Sequence, residues 1–189
     1  LFPPLTTYVS AATNGGSHIY GRFLLRQDST LNISNYTYLE GEVGELTVDG
    51  YTLTKTGPHF LLLSGSNTYS GPTVVQEGLL FVGGPLALGT TNNGTVVSNG
   101  ASLCLGVTFG FSFGVTNEAL TLNGHGDEPY GALYSGTHAT NFWTGPITLN
   151  GDCTIGQEWS DTELRISGAI SGPGGVTKIG NGRLYFGRD

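Results

Sequence analysis

Two groups of residues have types and spacing that could do acid–base chemistry. The candidates are His125, Asp127 and Glu128 in one group, and Glu158, Asp161 and Glu163 beside Trp159 in the other. Enzymes that cleave polysaccharides need carboxylates that converge, and paired glycosidase acids lie about 5 to 9.5 Å apart. The first group lies in the turn-rich segment 124–129, and polar loops explain both groups more simply than catalysis does.

A third acidic run could bind a metal ion. Glu40, Glu42 and Glu45 lie close together, and Glu40 and Glu42 share one face if the segment is extended. Carboxylate oxygens suit calcium. A solvated negative edge that resists aggregation between strands is the favoured interpretation.

Aromatic side chains on a surface can bind carbohydrate, because the flat faces of sugar rings stack on them. Trp143 and Trp159 lie in stretches predicted to be loops or long turns, and Tyr130 and Tyr134 are further candidates for contact with a glycan. Packing of either tryptophan over the core is the alternative, and it is favoured.

The two cysteines, Cys104 and Cys153, could form one disulfide. Each lies in an apolar alternating context, where a buried thiol behaves as a small hydrophobic side chain. Both interpretations stay open from the sequence.

The composition restricts the function classes. The chain has 189 residues, 32 of them Gly, with 11% charged residues and a net charge of −7. This acidic balance argues against nucleic-acid binding. The apolar runs are far shorter than the roughly 20 residues that a membrane-spanning helix needs, so we expect no membrane insertion by this segment. No catalytic residue, metal ligand or cofactor is assigned. The absence of an initial Met suggests a processed or excised piece.

Short apolar alternations separated by Gly, Asn or Asp recur along the whole chain, which predicts strands and tight turns. No window shows the 3.6-residue spacing of a surface helix. The strictest alternation is 107–115, where Phe109, Phe111 and Phe113 share a face that we expect to be buried.

The sequence also repeats itself. Residues 52–63 reappear as residues 175–186, which aligns Lys55 with Lys178 and Gly57 with Gly180. The strand groups suit coils of roughly 20 to 25 residues, so the chain would form about seven to nine coils of a β-solenoid.

These residues carry a family resemblance. The segments are Leu53-Thr54-Lys55-Thr56-Gly57, then Leu63-Ser64-Gly65-Ser66-Asn67-Thr68-Tyr69-Ser70-Gly71-Pro72-Thr73-Val74-Val75, then Glu77-Gly78-Leu79-Leu80-Phe81-Val82-Gly83 and Ala87-Leu88-Gly89. Together they resemble the autotransporter-associated β-strand repeat, also called the passenger-associated transport repeat. The resemblance is close over residues 50–105 and looser over 115–189. Pro58, His59 and Pro72 depart from the repeat pattern and suggest local variation in the turns.

The resemblance implies an all-β fold, a right-handed parallel β-helix, within a long secreted or surface-displayed bacterial protein. No catalytic residues are known for this repeat. We expect residues 1–49 to form a cap or an atypical coil, and residues 50–189 to form coils with one full repeat unit and the start of a second.

We therefore predict a non-enzymatic structural passenger segment that serves adhesion or surface interaction. A glycan-binding module or a polysaccharide-degrading β-helix enzyme is the alternative. The expected partners are neighbouring coils of a longer chain and a cell-surface glycan or protein, and the expected location is the bacterial surface or the medium.

Overall fold

The computed structural model describes residues 5–9, 16–45, 49–106 and 111–187. These residues form 22 β-strands and no helix. In chain order they are β1 (Leu5–Val9), β2 (Ser17–Ile19), β3 (Phe23–Leu25), β4 (Ser29–Ile33), β5 (Thr37–Leu39), β6 (Val43–Glu45), β7 (Leu53–Thr56), β8 (Leu61–Leu63), β9 (Thr73–Val75), β10 (Gly78–Val82), β11 (Thr95–Val97), β12 (Ala101–Leu105), β13 (Gly114–Val115), β14 (Leu120–Leu122), β15 (Leu133–Ser135), β16 (Thr140–Trp143), β17 (Ile147–Leu149), β18 (Cys153–Gln157), β19 (Glu163–Ile166), β20 (Ile170–Ser171), β21 (Val176–Ile179) and β22 (Arg183–Phe186).

The strands stack into a parallel β-solenoid, which confirms the predicted fold class. Sheet A has eight strands in the order β1-β4-β7-β9-β11-β14-β17-β20, and sheet B has eight in the order β2-β5-β8-β10-β12-β15-β18-β21. Every strand pair in these sheets is parallel, for example β4 with β7 and β5 with β8. Each coil therefore adds one strand to each sheet.

The coil length follows from the register. Ser29 pairs with Leu53 and Leu53 with Thr73, so these two coils advance by 24 and 20 residues. The step from Leu103 to Leu133 is 30 residues, because a long loop, residues 123–132, lies between β14 and β15. Most coils thus match the predicted length.

A third side of the solenoid is built in two ways. In the early coils β3 pairs with β6 as the two-stranded sheet C. In the later coils β13, β16, β19 and β22 form the four-stranded sheet D. Between them, the buried Asn67 side chain joins three coils. Its Oδ1 accepts from the Val43 backbone N–H at 2.7 Å, and its Nδ2 donates to the Ala87 carbonyl at 2.5 Å.

The interior is a continuous apolar column, because alternate residues of every strand point inward. One inward row of sheet A contains Leu31, Lys55, Val75, Val97, Leu122 and Leu149, all buried. The aliphatic members lose their water-exposed surface between neighbouring coils, which drives the stacking. Lys55 is the exception in the row.

The buried aromatic face predicted within 107–115 is wrong at Phe111. Residues 107–110, which include Phe109, lie outside the described residues. Phe111 is 70% exposed rather than buried, and Phe113 is half-buried. Of the described residues 111–115, only β13 forms a strand. At this level the interior holds the ring of Trp143, which is aligned with Val115.

The two repeated segments have the same local structure at different places. Lys55 lies on β7 of sheet A, whereas Lys178 lies on β21 of sheet B. A glycine of positive φ follows each strand, Gly57 after β7 and Gly180 after β21. Strand pairing also continues across residue 49, from β4 to β7. The division into residues 1–49 and 50–189 stays a prediction.

Candidate functional site: an aromatic surface on sheet B

The outer face of sheet B carries a row of large side chains on consecutive coils. His18 is in register with Tyr38, Tyr38 with Leu62, and Leu62 with Phe81. They share a face because side chains of in-register strands point the same way. A parallel row begins with Tyr36, which is 49% exposed, and continues with Phe60 on the next coil.

The rings of these two rows are in mutual contact. His18 stacks on Tyr38 with ring centroids 4.3 Å apart, and Tyr36 stacks on Phe60 at 4.8 Å. Phe60 also meets Tyr38 and Phe81 edge to face, each at 5.3 Å. These separations are the preferred ones for aromatic pairs. We call these five residues, His18, Tyr36, Tyr38, Phe60 and Phe81, the aromatic strip.

Two shallow depressions lie in the strip. One, of about 340 Å³, is lined by Tyr36, Pro58, His59, Phe60, Leu79, Phe81 and Tyr130. The other, of about 200 Å³, is lined by Tyr38, Phe60, Leu62 and Phe81. The strip is therefore grooved rather than flat.

The strip ends where residues 123–132, the covering loop, fold over the outer face of β12, β15 and β18. His125 Nδ1 lies 3.0 Å from Thr154 Oγ1, and the Asp127 backbone N–H donates to Ser102 Oγ at 3.0 Å. Gly156 allows the close approach, because a Cβ there would lie 2.2 Å from the Tyr130 carbonyl oxygen. The loop buries Ser102, Cys104 and Thr154, whereas on β2, β5 and β10 the side chains of His18, Tyr38 and Phe81 keep contact with solvent.

A larger pocket of about 510 Å³ opens on the other side of the loop. Its lining includes Glu128, Tyr130, Tyr134 and Glu158. The Tyr134 hydroxyl donates to the Glu158 carboxylate, and burial together with this bond raises the pKa of the Tyr134 phenol. Tyr130 lines both this pocket and the depression beside Phe60, so it lies between the two.

The four aromatic residues singled out in the sequence have different positions. Tyr130 and Tyr134 lie together edge to face, with ring centroids 5.0 Å apart. Trp143 is fully buried, so packing explains it and no glycan can reach it. Trp159 is 42% exposed and stacks on His138 at 4.8 Å. Only the tyrosine pair belongs to the surface described above.

The two cysteines do not form the disulfide that the sequence left open. Both are free and buried. Cys104 lies on β12 and Cys153 on β18, with β15 between them, so their strands are about 9.6 Å apart. Disulfides need Cα atoms within about 7 Å. Burial raises the pKa of the Cys104 thiol, with the Asp127 carboxylate as a smaller contribution.

The candidate acidic groups have separate partners. Asp161 pairs with His138 at 2.7 Å, Glu163 pairs with Arg165, and Glu158 accepts from Tyr134. Of the six candidates, Glu128 and Glu158 line a common pocket.

The acidic side chains of residues 40–45 also have partners within the structure. Glu40 lies 2.6 Å from His18 Nδ1, Glu42 pairs with Arg22 at 3.3 Å, and Glu45 accepts from the Ser70 hydroxyl at 2.9 Å. Within the described residues no group of three or more His, Cys, Asp or Glu side chains is arranged to hold a metal ion.

The aromatic strip was missed from the sequence, although it leaves a signal there. Its members are single aromatic residues that recur one coil apart, at positions 18, 38, 60 and 81. The repeat pattern does not show them, because they occupy outward positions that the pattern leaves unspecified.

Comparison with known proteins adds one relative. The chain is 39% identical over 129 residues, 68% of its length, to the adhesin BmaC autotransporter of Brucella suis biovar 1 (strain 1330). The matched part is 4% of the length of that adhesin. The sequence matches no protein-family model and no solved structure. The resemblance to the autotransporter-associated repeat therefore stays a prediction.

The surface suits the binding of a partner better than covalent chemistry. Half-exposed rings in a shallow groove offer apolar area with hydroxyl and imidazole groups at its edges. In the part of the chain that the structure describes, no helix is long and apolar enough to cross a membrane.

Proposed function

We propose that the chain is a non-enzymatic β-solenoid passenger segment of a secreted or surface-displayed bacterial protein, and that it serves adhesion. The observation that carries the proposal is the 39% identity to an autotransporter adhesin over 129 residues, in a chain whose described residues form stacked parallel coils.

The architecture supports the structural part of the proposal. Each coil contacts mainly its neighbours, so a longer array adds length without a new fold. Coils of the same kind, stacked in a longer chain, are the first expected partners. Such a rod would hold its lateral surfaces away from the cell, where the aromatic strip could meet a surface glycan or protein.

One observation bears on an enzymatic alternative, a polysaccharide-degrading activity. Glu128 and Glu158 line the same pocket beside Tyr134. The bond from Tyr134 already occupies Glu158, and structural bonds engage Asp161 and Glu163, which supports a non-enzymatic function. Incubation with a panel of polysaccharides should release no reducing ends, and activity lost in Glu158→Gln would establish the alternative.

Display of the segment on the surface of a bacterium tests the adhesion proposal. The 189-residue segment is fused to a heterologous surface anchor on a non-adherent bacterium, and adherent cells on epithelial monolayers are counted. We expect more adherent cells than with the anchor alone at equal surface display. Equal counts, with the segment shown to be folded and exposed, would overturn adhesion while leaving the structural part standing.

A further inference from the structure

We infer that the aromatic strip binds a neutral oligosaccharide, which lies along the solenoid axis across the first four coils. This inference deepens the proposed adhesion function, on which it rests, by naming the class of ligand. The argument uses the spacing of the rings, the polarity around them and the covering loop.

The rings are spaced for a repeating ligand. His18, Tyr38 and Phe81 lie on strands of adjacent or next-adjacent coils, and each coil advances by about 4.8 Å along the axis. This advance is close to the length of one sugar residue in an extended glycan. Each coil can therefore offer an apolar surface to one residue of a glycan chain.

The groups around the rings suit hydroxyl-rich ligands. Tyr36 and Tyr38 carry phenolic hydroxyls, and the His18 ring is fixed by Glu40 at 2.6 Å. Hydroxyl, imidazole and carboxylate groups can donate to or accept from sugar hydroxyls. The stacked pairs His18–Tyr38 and Tyr36–Phe60 turn one ring face towards each other and leave ring edges and polar groups for the ligand. An aliphatic docking surface would lack these hydroxyl and imidazole groups.

Charge selects a neutral glycan. The chain has 7 basic residues against 14 acidic ones, a net charge of −7. Glu40 lies at the strip itself through its bond to His18. A sulfated or uronate-rich glycan would meet repulsion there instead of the basic side chains that bind anions.

The covering loop forms one end of the groove. Tyr130 of the covering loop lines both the depression of Phe60 and Phe81 and the pocket of Tyr134, and so lies between them. Pro58 and His59, which replace small residues of the repeat pattern, line the same depression, and His59 meets Tyr36 edge to face at 5.2 Å. Two of the three departures from the repeat pattern therefore fall where the groove is formed, while Pro72 precedes β9 of sheet A.

The test is calorimetric titration of the folded chain with neutral hexasaccharides: cellohexaose, laminarihexaose, maltohexaose and chitohexaose. A heparin hexasaccharide is the anionic comparison. The variants are Tyr36→Ala, whose side chain is half exposed, and Phe60→Ala, with Tyr185→Ala as a control for an equally exposed aromatic residue on sheet D. Unfolding midpoints are measured for each variant, and Tyr36→Ala keeps the test decisive if Phe60→Ala is unstable.

We expect at least one neutral hexasaccharide to bind, with affinity reduced about tenfold or more by each strip variant and unchanged by Tyr185→Ala; tenfold corresponds to about 1.4 kcal/mol. Heparin should not bind. No binding of any neutral hexasaccharide at millimolar concentration would overturn the inference, as would binding that the strip variants leave unchanged. If the adhesion assay succeeds while these titrations fail, adhesion stands and the ligand class is wrong.

A second copy of this chain is the alternative occupant of the strip. Sedimentation that shows a dimer of the wild type, lost in Tyr36→Ala, with no glycan binding, would overturn the inference in favour of a second copy of this chain.

Discussion

The Lys55 ammonium donates to the main-chain carbonyl oxygen of Glu77, one coil later, at 2.6 Å. It also donates to the Gly57 carbonyl at 2.5 Å, while the Glu77 carboxylate accepts from the Gly57 backbone N–H at 3.1 Å. Lys55 is 1% exposed, and burial lowers its pKa to about 8. A buried cation thus joins two coils at a corner where backbone carbonyls would otherwise lack partners.

Lys55→Ala should strongly destabilise the chain. The buried Gly57 carbonyl and the part-buried Glu77 carbonyl lose a charged donor. Such bonds contribute about 1.5 to 3 kcal/mol each, so we expect a loss of about 3 to 6 kcal/mol. Lys178 bonds the Gly180 carbonyl at 2.6 Å in the same way but is exposed. Lys178→Ala is the matched control and should stay within about 0.5 kcal/mol of wild type. Equal losses in urea unfolding would contradict this role of Lys55.

Glu118 should make stability depend on pH. Burial raises the pKa of its carboxyl to about 7, and Oε1 accepts from the Thr95 hydroxyl at 2.8 Å. The folded chain holds the proton more tightly than the unfolded chain, whose ordinary value is 4.5. The free energy of unfolding therefore falls as pH rises from 4.5 to 7, by about 3 kcal/mol.

The variant Glu118→Gln removes this titration. Its stability relative to wild type should increase across the same pH interval and level off above pH 7, measured by urea unfolding at several pH values. A difference that stays constant from pH 4.5 to 8 would refute the assignment to Glu118.

Gly156→Ala should lift the covering loop from sheet B. The new Cβ would clash with the Tyr130 carbonyl oxygen, whereas a Cβ at Gly151 has nothing within 4 Å, so Gly151→Ala is the control. Since the loop buries Cys104, we expect maleimide labelling of Cys104, assigned by mass spectrometry, to be about tenfold faster in Gly156→Ala, equivalent to about 1.4 kcal/mol of loop opening. Labelling at the wild-type rate would show that Gly156 does not position the loop.

Asn67→Ala should loosen the third side of the solenoid beyond β6, where side-chain bonds of Asn67 join the coils in place of strand pairing. The variant removes the acceptor of the Val43 N–H and the donor to the Ala87 carbonyl, and each group left unpaired costs about 1 to 3 kcal/mol. Hydrogen exchange at Val43 should speed up sharply. Asn150→Ala, which removes an exposed bond to Asn123, should leave Val43 protected. Retained protection in Asn67→Ala would mean that another group satisfies Val43.

The sequence predicts the coils well because their determinants are local. Alternation and turn glycines specify strands, and Gly57, at φ +83° with a Cβ position 2.5 Å from the Ile33 carbonyl, shows why the corner requires glycine. The aromatic strip depends instead on the register between coils, which aligns His18, Tyr38 and Phe81 in one row. Similarly, the burial of Trp143 and the exposure of Phe111 depend on which side chain fills the interior, and alternation alone does not contain that information.

The most direct test of the central claim, adhesion through the outer face of sheet B, is the display assay with single variants. Bacteria that display the wild-type segment, Tyr36→Ala, Phe60→Ala or Tyr185→Ala at equal density are counted on epithelial monolayers. Adhesion through the aromatic strip predicts that both strip variants reduce adherent cells towards the level of the anchor alone, and that Tyr185→Ala does not. Undiminished adhesion by folded Tyr36→Ala and Phe60→Ala would contradict it.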